Sequence, residues 1–518
     1  MKIAEALATV IFCGLIGLLL LTPIPYGSVE PWAQAAFECS VFALAFLWCI
    51  HAALSGSWFS GDVRLFLPLA ATVAFAALQS LAWSRTNIAG VSVNQALSAD
   101  PYESWIFALR LLALTVAGLL AVRFTTGSRR LTILVNTIIV VALLSAIFGI
   151  VRLTTQHGDG FGLESLRTAA GFAQFINKNH FGFLVEPAIG LLVAMILLQR
   201  GAAPRKLFYL SALILLWAAL VLSRSRGGLV AVSIQIIVGA LFFVYARLLK
   251  KREATLSRRT RAIGIAAAAI IVIVITVAGT TLWLGGDQLS TGVETAASEI
   301  TAKGDDHNEG ARRRDIWRAT LQMARAHPIA GAGLGAYWAE IPLYHDASGV
   351  LTPQQAHSEY LELLASGGLI GMGLLTWFIV ALFKRTRSAL EQLSGTQRVL
   401  AIGAGIGIAG VAVHSLVDFG LHMPANALVF VMLLAMQSLN RLDQPAVAQA
   451  HRTGAFRWRQ VKANQLAADQ LPKHSQAHRD LTVGCDNQPE LVWLAAGHCW
   501  WRGGLDGPGH YRRGLDHF

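Results

Sequence analysis

Long apolar runs alternate with short polar breaks along most of this chain. Stretches close to the ~18–20 residues needed to cross the hydrocarbon of a bilayer occur at about 6–22, 33–54, 65–82, 105–123, 131–151, 182–199, 206–222, 228–246, 262–284, 367–383, 399–416 and 424–440. The pattern predicts an all-α polytopic membrane protein with twelve transmembrane helices. One interruption is long: residues 285–366, between spans nine and ten, are mostly polar. The chain therefore divides into spans one to nine at 1–284, a loop at 285–366, spans ten to twelve at 367–441 and a tail at 442–518 that lacks helical or strand periodicity and reads as disordered. No 20–50-residue repeat and no matching halves are visible, which argues against a transporter built from six plus six spans.

Within the loop a helix is predicted from about Arg312 to His327, ended by Pro328, then a glycine-rich turn at Gly331–Gly335. A second helix should follow, with Thr352 as N-cap, Pro353 at the first helical position and Gln355 completing a capping box. His357 then falls in its opening turns, where the positive end of the helix dipole favours the neutral imidazole that a general base needs. A polar residue at a helix start is the plainer reading of the same histidine.

Composition agrees with the span count. Of 518 residues 54% are hydrophobic and 14% charged, and the mean hydropathy is +0.53, too apolar for a soluble globule of this size. The net charge of +12 comes largely from lysine and arginine in the connections after spans four, six, eight and ten: Arg129-Arg130, Arg205-Lys206, the cluster from Arg247 to Arg261, and Lys384-Arg385-Arg387. All four fall on one side, which the positive-inside rule makes cytoplasmic, with both termini. That distribution explains the charge without nucleic acid as a partner. No outward pair among the five cysteines can form a disulfide, and Cys485 and Cys499 lack zinc-site spacing.

The outward connections hold the candidate chemistry. Ser223-Arg-Ser-Arg-Gly-Gly228 places Arg224 and Arg226 at a membrane interface, where a guanidinium suits either a phosphate or lipid headgroups. Arg312-Arg-Arg-Asp-Ile-Trp317 adds cations in the loop. Asn177, Lys178, Asn179 and His180 interleave with phenylalanines at the mouth of span six, a mixture that fits a sugar or an interfacial aromatic belt. Asp418 and His422 lie at another outward turn, where Asp418 could orient a base or cap a helix. Asp305-Asp306-His307 is a candidate cation site of low merit, so no metal and no cofactor are assigned.

Taken in order, Tyr26–Trp32, Phe175-Ile-Asn-Lys-Asn-His180, Ser225-Arg-Gly-Gly228, Arg313 with Trp317 and His327–Gly333, Ala356-His-Ser-Glu-Tyr360 with Gly367–Gly371, and His414-Ser-Leu-Val-Asp418 resemble the O-antigen ligase and polymerase superfamily of bacterial inner membranes. The resemblance covers roughly residues 1–440. It implies a metal-independent, inverting glycosyltransferase with a periplasmic active site and an undecaprenyl-diphosphate-linked glycan as donor. The acceptor would be a hydroxyl of lipid A–core, of another glycan or of a protein. Carried over, His357 is the base and Arg226 and Arg313 hold the diphosphate, with the register at Arg312–Arg314 open by one position. A twelve-span polysaccharide or solute transporter is the alternative from another class.

Overall fold

The computed structural model describes residues 2–59, 61–88, 91–155, 161, 163, 166–167, 171–198, 203–249, 309–345 and 353–439. The predicted ninth span at 262–284, the basic residues from 250 to 261, Asp305-Asp306-His307, Thr352, the side chain of Arg312 and the tail with Cys485 and Cys499 lie outside the described residues. What is described is an all-α polytopic membrane protein. In chain order it comprises α1 (Lys2–Leu21), α2 (Pro31–Ser55), α3 (Leu67–Ser80), α4 (Pro101–Phe124), α5 (Gly127–Thr155), α6 (Lys178–Leu198), α7 (Ala203–Leu222), α8 (Arg226–Leu249), α9 (Glu309–Ala326), α10 (Glu359–Gln392), α11 (Gly395–His414) and α12 (Pro424–Ser438).

Among the described residues nine helices are long and apolar enough to cross a membrane, with shorter apolar stretches at Arg226–Phe242 and Pro424–Ser438. Together they coincide with the predicted spans except the ninth. Large apolar side chains such as Phe46, Leu144, Ile214 and Phe383 stand on the outside, as lipid-facing surfaces require and water-facing ones do not. The core centres on α6, which is apolar all round, is buried along most of its length and packs against α5, α7, α8, α11 and α12. Small residues bring its backbone close to α11: Gly190 lies directly against Gly403 and Gly407.

Two faces can be traced. At one, Asp62 N donates to Ser438 O at 3.1 Å and Arg385 Nε to Gln437 O at 2.7 Å. At the other, called the site face below, the turn after α1 meets the start of α12, with Ala425 N donating to Gly27 O at 3.3 Å. A β-hairpin, β1 (Ala82–Ile88) and β2 (Val91–Ala96), joins α3 to α4 there. Hydropathy had no means of showing it, because a mostly polar hairpin looks like any other connection.

The long loop is folded where it is described. The predicted helix before Pro328 is α9. Residues 328–333 then pair backbone to backbone with the first part of α10: Ala332 N to Ala365 O, Gly333 N to Ser366 O, Leu369 N to Pro328 O and Ile370 N to Ile329 O, all within 3.1 Å. This strap is why α10 breaks at Gly368, whose φ of 58° and ψ of −156° are non-helical. Any side chain there would strike the Ile329 carbonyl at 2.4 Å. The stretch Glu359–Gly367 thus lies with the loop, and the helix from Leu369 to Gln392 is the spanning part, about 36 Å long at about 1.5 Å per residue. Lys384, Arg385 and Arg387, read from sequence as a connection, are instead in its last turns.

Candidate functional site

The site assembles around Asp418, which is 1% exposed in the turn after α11. Its N–H donates to His414 O at 3.1 Å. Its Oδ1 accepts from Phe419 N at 2.9 Å, and its Oδ2 accepts from the amide of Asn179. Asn179 in turn accepts a 2.9 Å hydrogen bond from Ser225 Oγ. Ser225 is the N-cap of α8, since the same hydroxyl accepts from Gly228 N at 3.2 Å. Arg226, the first residue of α8, therefore stands directly after a side chain that is wired to Asp418, and it is exposed at the positive end of a helix. Arg224 is exposed too, but it occupies the turn before the helix with a φ of 56°.

His357 approaches Asp418 from the loop. Its Nδ1 lies 3.9 Å from Asp418 Oδ1, and its side chain is 30% exposed. This position corrects the predicted one. The helix begins at Glu359, with Ser358 as N-cap accepting from Leu361 N, so His357 precedes it instead of sitting in its opening turns. Pro353 and Gln355 lie in irregular chain. The reason is that Ala356 is held from both sides before the helix can start: its N–H donates to Glu362 Oε2 at 2.9 Å and its carbonyl accepts from Trp317 Nε1 at 2.9 Å. Between that anchor and the Ser358 cap, His357 adopts a left-handed φ of 50°, a conformation that costs an L-residue roughly 1–2 kcal/mol and to which histidine is better suited than most.

Trp317 also brings in α9. Arg313 is four residues before it, on the same helix face, and is half-buried while Arg314 is exposed. Arg313 thus reaches the residue beside His357 through one helical turn.

Behind His357 the ring of Phe419 stands edge-on to three histidines, His357 at 5.0 Å, His180 at 5.1 Å and His422 at 5.9 Å between centroids. His180 is buried in the first turn of α6. Asn177 caps that helix, accepting from Asn179 N at 2.9 Å, and Lys178 begins it. His422 points to an acidic pair, Glu359 Oε2 at 3.3 Å and Glu362 Oε1 at 3.5 Å, with the amide of Gln355 3.1 Å from its Nδ1. Burial alone would lower the His422 pKa, but Glu359 and Glu362 outweigh it and raise it to about 9, so the imidazole is a cation at neutral pH. Residues 359 and 362 are three apart, a same-face spacing that could have singled out this pair from the sequence and did not.

Below these groups a cavity of about 1200 Å³ runs from Gln355, Glu359 and His422 down past Phe107, Leu363, Leu374 and Phe378 to Leu390 near the opposite face. Its walls are mainly apolar and come from α3, α4, α8, α10 and α11.

Residues 210–376 match the family described as O-antigen ligase. This match, over about a third of the chain, supports the O-antigen ligase superfamily. The matched stretch holds Arg226, Arg313, His357 and the glycine-rich strap, while Asn179, His180, Asp418 and His422 lie outside it and join the site through the fold. The match supports an O-antigen ligase or polymerase type of function in general, and the family implies lipid-linked glycan and acceptor substrates in a membrane. No curated protein matches the chain.

Proposed function

We propose that this protein transfers a glycan from undecaprenyl diphosphate to an acceptor hydroxyl at the periplasmic face of the bacterial inner membrane. The observation that carries the reading is the meeting of three separate segments at Asp418: the cap of the Arg226 helix through Asn179, His357 directly, and the Arg313 helix through Trp317 and Ala356. Two guanidiniums and a helix N-terminus supply the fork geometry and the field that a diphosphate needs. The apolar cavity has the depth and lining for an isoprenoid chain.

In this mechanism His357 removes the proton of the acceptor hydroxyl as its oxygen attacks the anomeric carbon from the side opposite the diphosphate. The glycosidic bond to phosphate breaks with inversion, and Arg226 and Arg313 offset the charge that grows on the leaving oxygen. A lipid diphosphate leaves without a separate acid, and arginine alone can neutralise it, so no metal is required. Asp418 is a positioning residue: its carboxylate sets the His357 ring and stabilises it once protonated. Arg129, Arg130, Lys384 and Arg385, which gather at the end opposite the site, support the periplasmic assignment. Lipid A–core is the acceptor proposed; a glycan repeat or a protein hydroxyl would use the same base.

The test is incubation of purified protein with a lipid-diphosphate glycan and each acceptor in turn, with and without chelator, followed by product identification. Transfer to lipid A–core with inverted stereochemistry and no loss under chelation supports the proposal. Absence of transfer to all three acceptors from an intact donor overturns it.

A further inference from the structure

The glycine pair after Arg226 packs on a group that the mechanism above leaves unused. Gly227 lies on the ring of His414, so that a Cβ placed there would meet Cδ2 and Nε2 at 2.6 Å. Gly182 closes on the other edge of the same ring, 2.9 Å from Cε1 on the same construction, and Phe183 stacks on its face with centroids 4.1 Å apart. His414 Nδ1 is 2.7 Å from Glu186 Oε1, and both side chains are 0% exposed. The backbone of His414 leads to the other half of the site, because its carbonyl accepts the N–H groups of Val417 at 3.0 Å and Asp418 at 3.1 Å. A buried carboxylate and imidazole cost several kcal/mol in desolvation, so a contact needing only packing between helices is better made by apolar side chains of similar volume.

We propose that His414, held by Glu186, is the positioning residue that sets Arg226 against Asp418: its ring is the floor on which Arg226-Gly227-Gly228 rests, and its carbonyl holds the backbone N–H of Asp418, whose carboxylate faces His357. Neither His414 nor Glu186 touches substrate. The inference rests on the reading of Arg226 as a diphosphate ligand. It also accounts for glycine at 227, where helix propensity alone would favour alanine by up to about 1 kcal/mol. The ring is the main obstacle, with Val417 Cγ2 at 3.2 Å beside it.

The experiment measures donor KM, acceptor KM and kcat for the full chain in nanodiscs, with a lipid-diphosphate glycan as donor, for Gly227→Ala, His414→Ala and the double variant. Gly227→Ala should raise donor KM by about 10²-fold while acceptor KM stays within about twofold, because Arg226 is displaced and the acceptor side is not. In the His414→Ala background the same substitution should add much less, since only the looser Val417 contact at 3.2 Å then remains. Glu186→Gln, which keeps an oxygen for the imidazole N–H, should recover most of what Glu186→Leu loses. Equal losses for Gly227→Ala in both backgrounds, or an acceptor KM that climbs with the donor KM, overturn the assignment. Arg226→Ala is measured alongside: an unchanged donor KM there defeats the ligand reading itself, whereas a loss for Arg226→Ala with none for Gly227→Ala defeats only the role of His414.

Discussion

The indole N–H of Trp317 donates to the carbonyl of Ala356 at 2.9 Å, and this one bond ties the helix carrying Arg313 to the residue beside His357. The proposed role of arginine there is a planar, two-pronged contact with diphosphate. Lysine at 313 or at 226 should therefore restore only part of the donor affinity that alanine removes. Substitutions of Arg312 and Arg314 serve as register controls. Equal donor affinity for wild type and for both alanine variants would count against a diphosphate grip, and a larger loss at 312 or 314 would move the role to that residue.

His357→Ala should leave the protein inserted and donor-bound while cutting transfer by about 10²–10⁴-fold, the usual span for loss of a general base. Asp418→Asn should lower kcat, since it removes the charge 3.9 Å from His357 and its single amide oxygen can replace only one of the two acceptors that Phe419 N and Asn179 use. Full activity in His357→Ala would remove the base from the mechanism.

His422 makes stability depend on pH in a direction that follows from its partners. Its pKa is raised from 6.5 to about 9 by Glu359 and Glu362 against the effect of burial. A raised value in the folded state means that the contribution is complete below about pH 6.5 and disappears as pH climbs through about 9. Thermal unfolding followed from pH 6 to 10 should show Tm falling over that window in wild type and a flatter profile in His422→Gln. Glu359→Gln should move the fall to lower pH. Identical slopes in wild type and His422→Gln would contradict the pairing.

Gly368→Ala should destabilise the fold and loosen the strap, because its φ of 58° and the Ile329 carbonyl at 2.4 Å both exclude a side chain. The backbone strain alone is of order 1–3 kcal/mol. Gly373, five residues further along the same helix with nothing near its missing Cβ, is the control, and alanine there should be neutral or slightly stabilising. A similar Tm for the two variants would rule out the strap as the cause of the break.

The sequence by itself determined the class of protein and, among the described residues, where its long apolar helices lie. Those properties depend on the transfer of whole segments between water and hydrocarbon, which adds up residue by residue along the chain. It also named His357, Arg226, Arg313 and Asp418 as candidates. Only the tertiary structure decided how they meet. Ser225, Asn179 and Asp418 come from three distant segments, and Trp317 and Ala356 from two, and no local periodicity encodes such pairings. For the same reason the local capping pattern at 352–355 failed: a bond from Trp317, thirty-nine positions earlier, holds Ala356 out of a helix that short-range signals alone would begin before it.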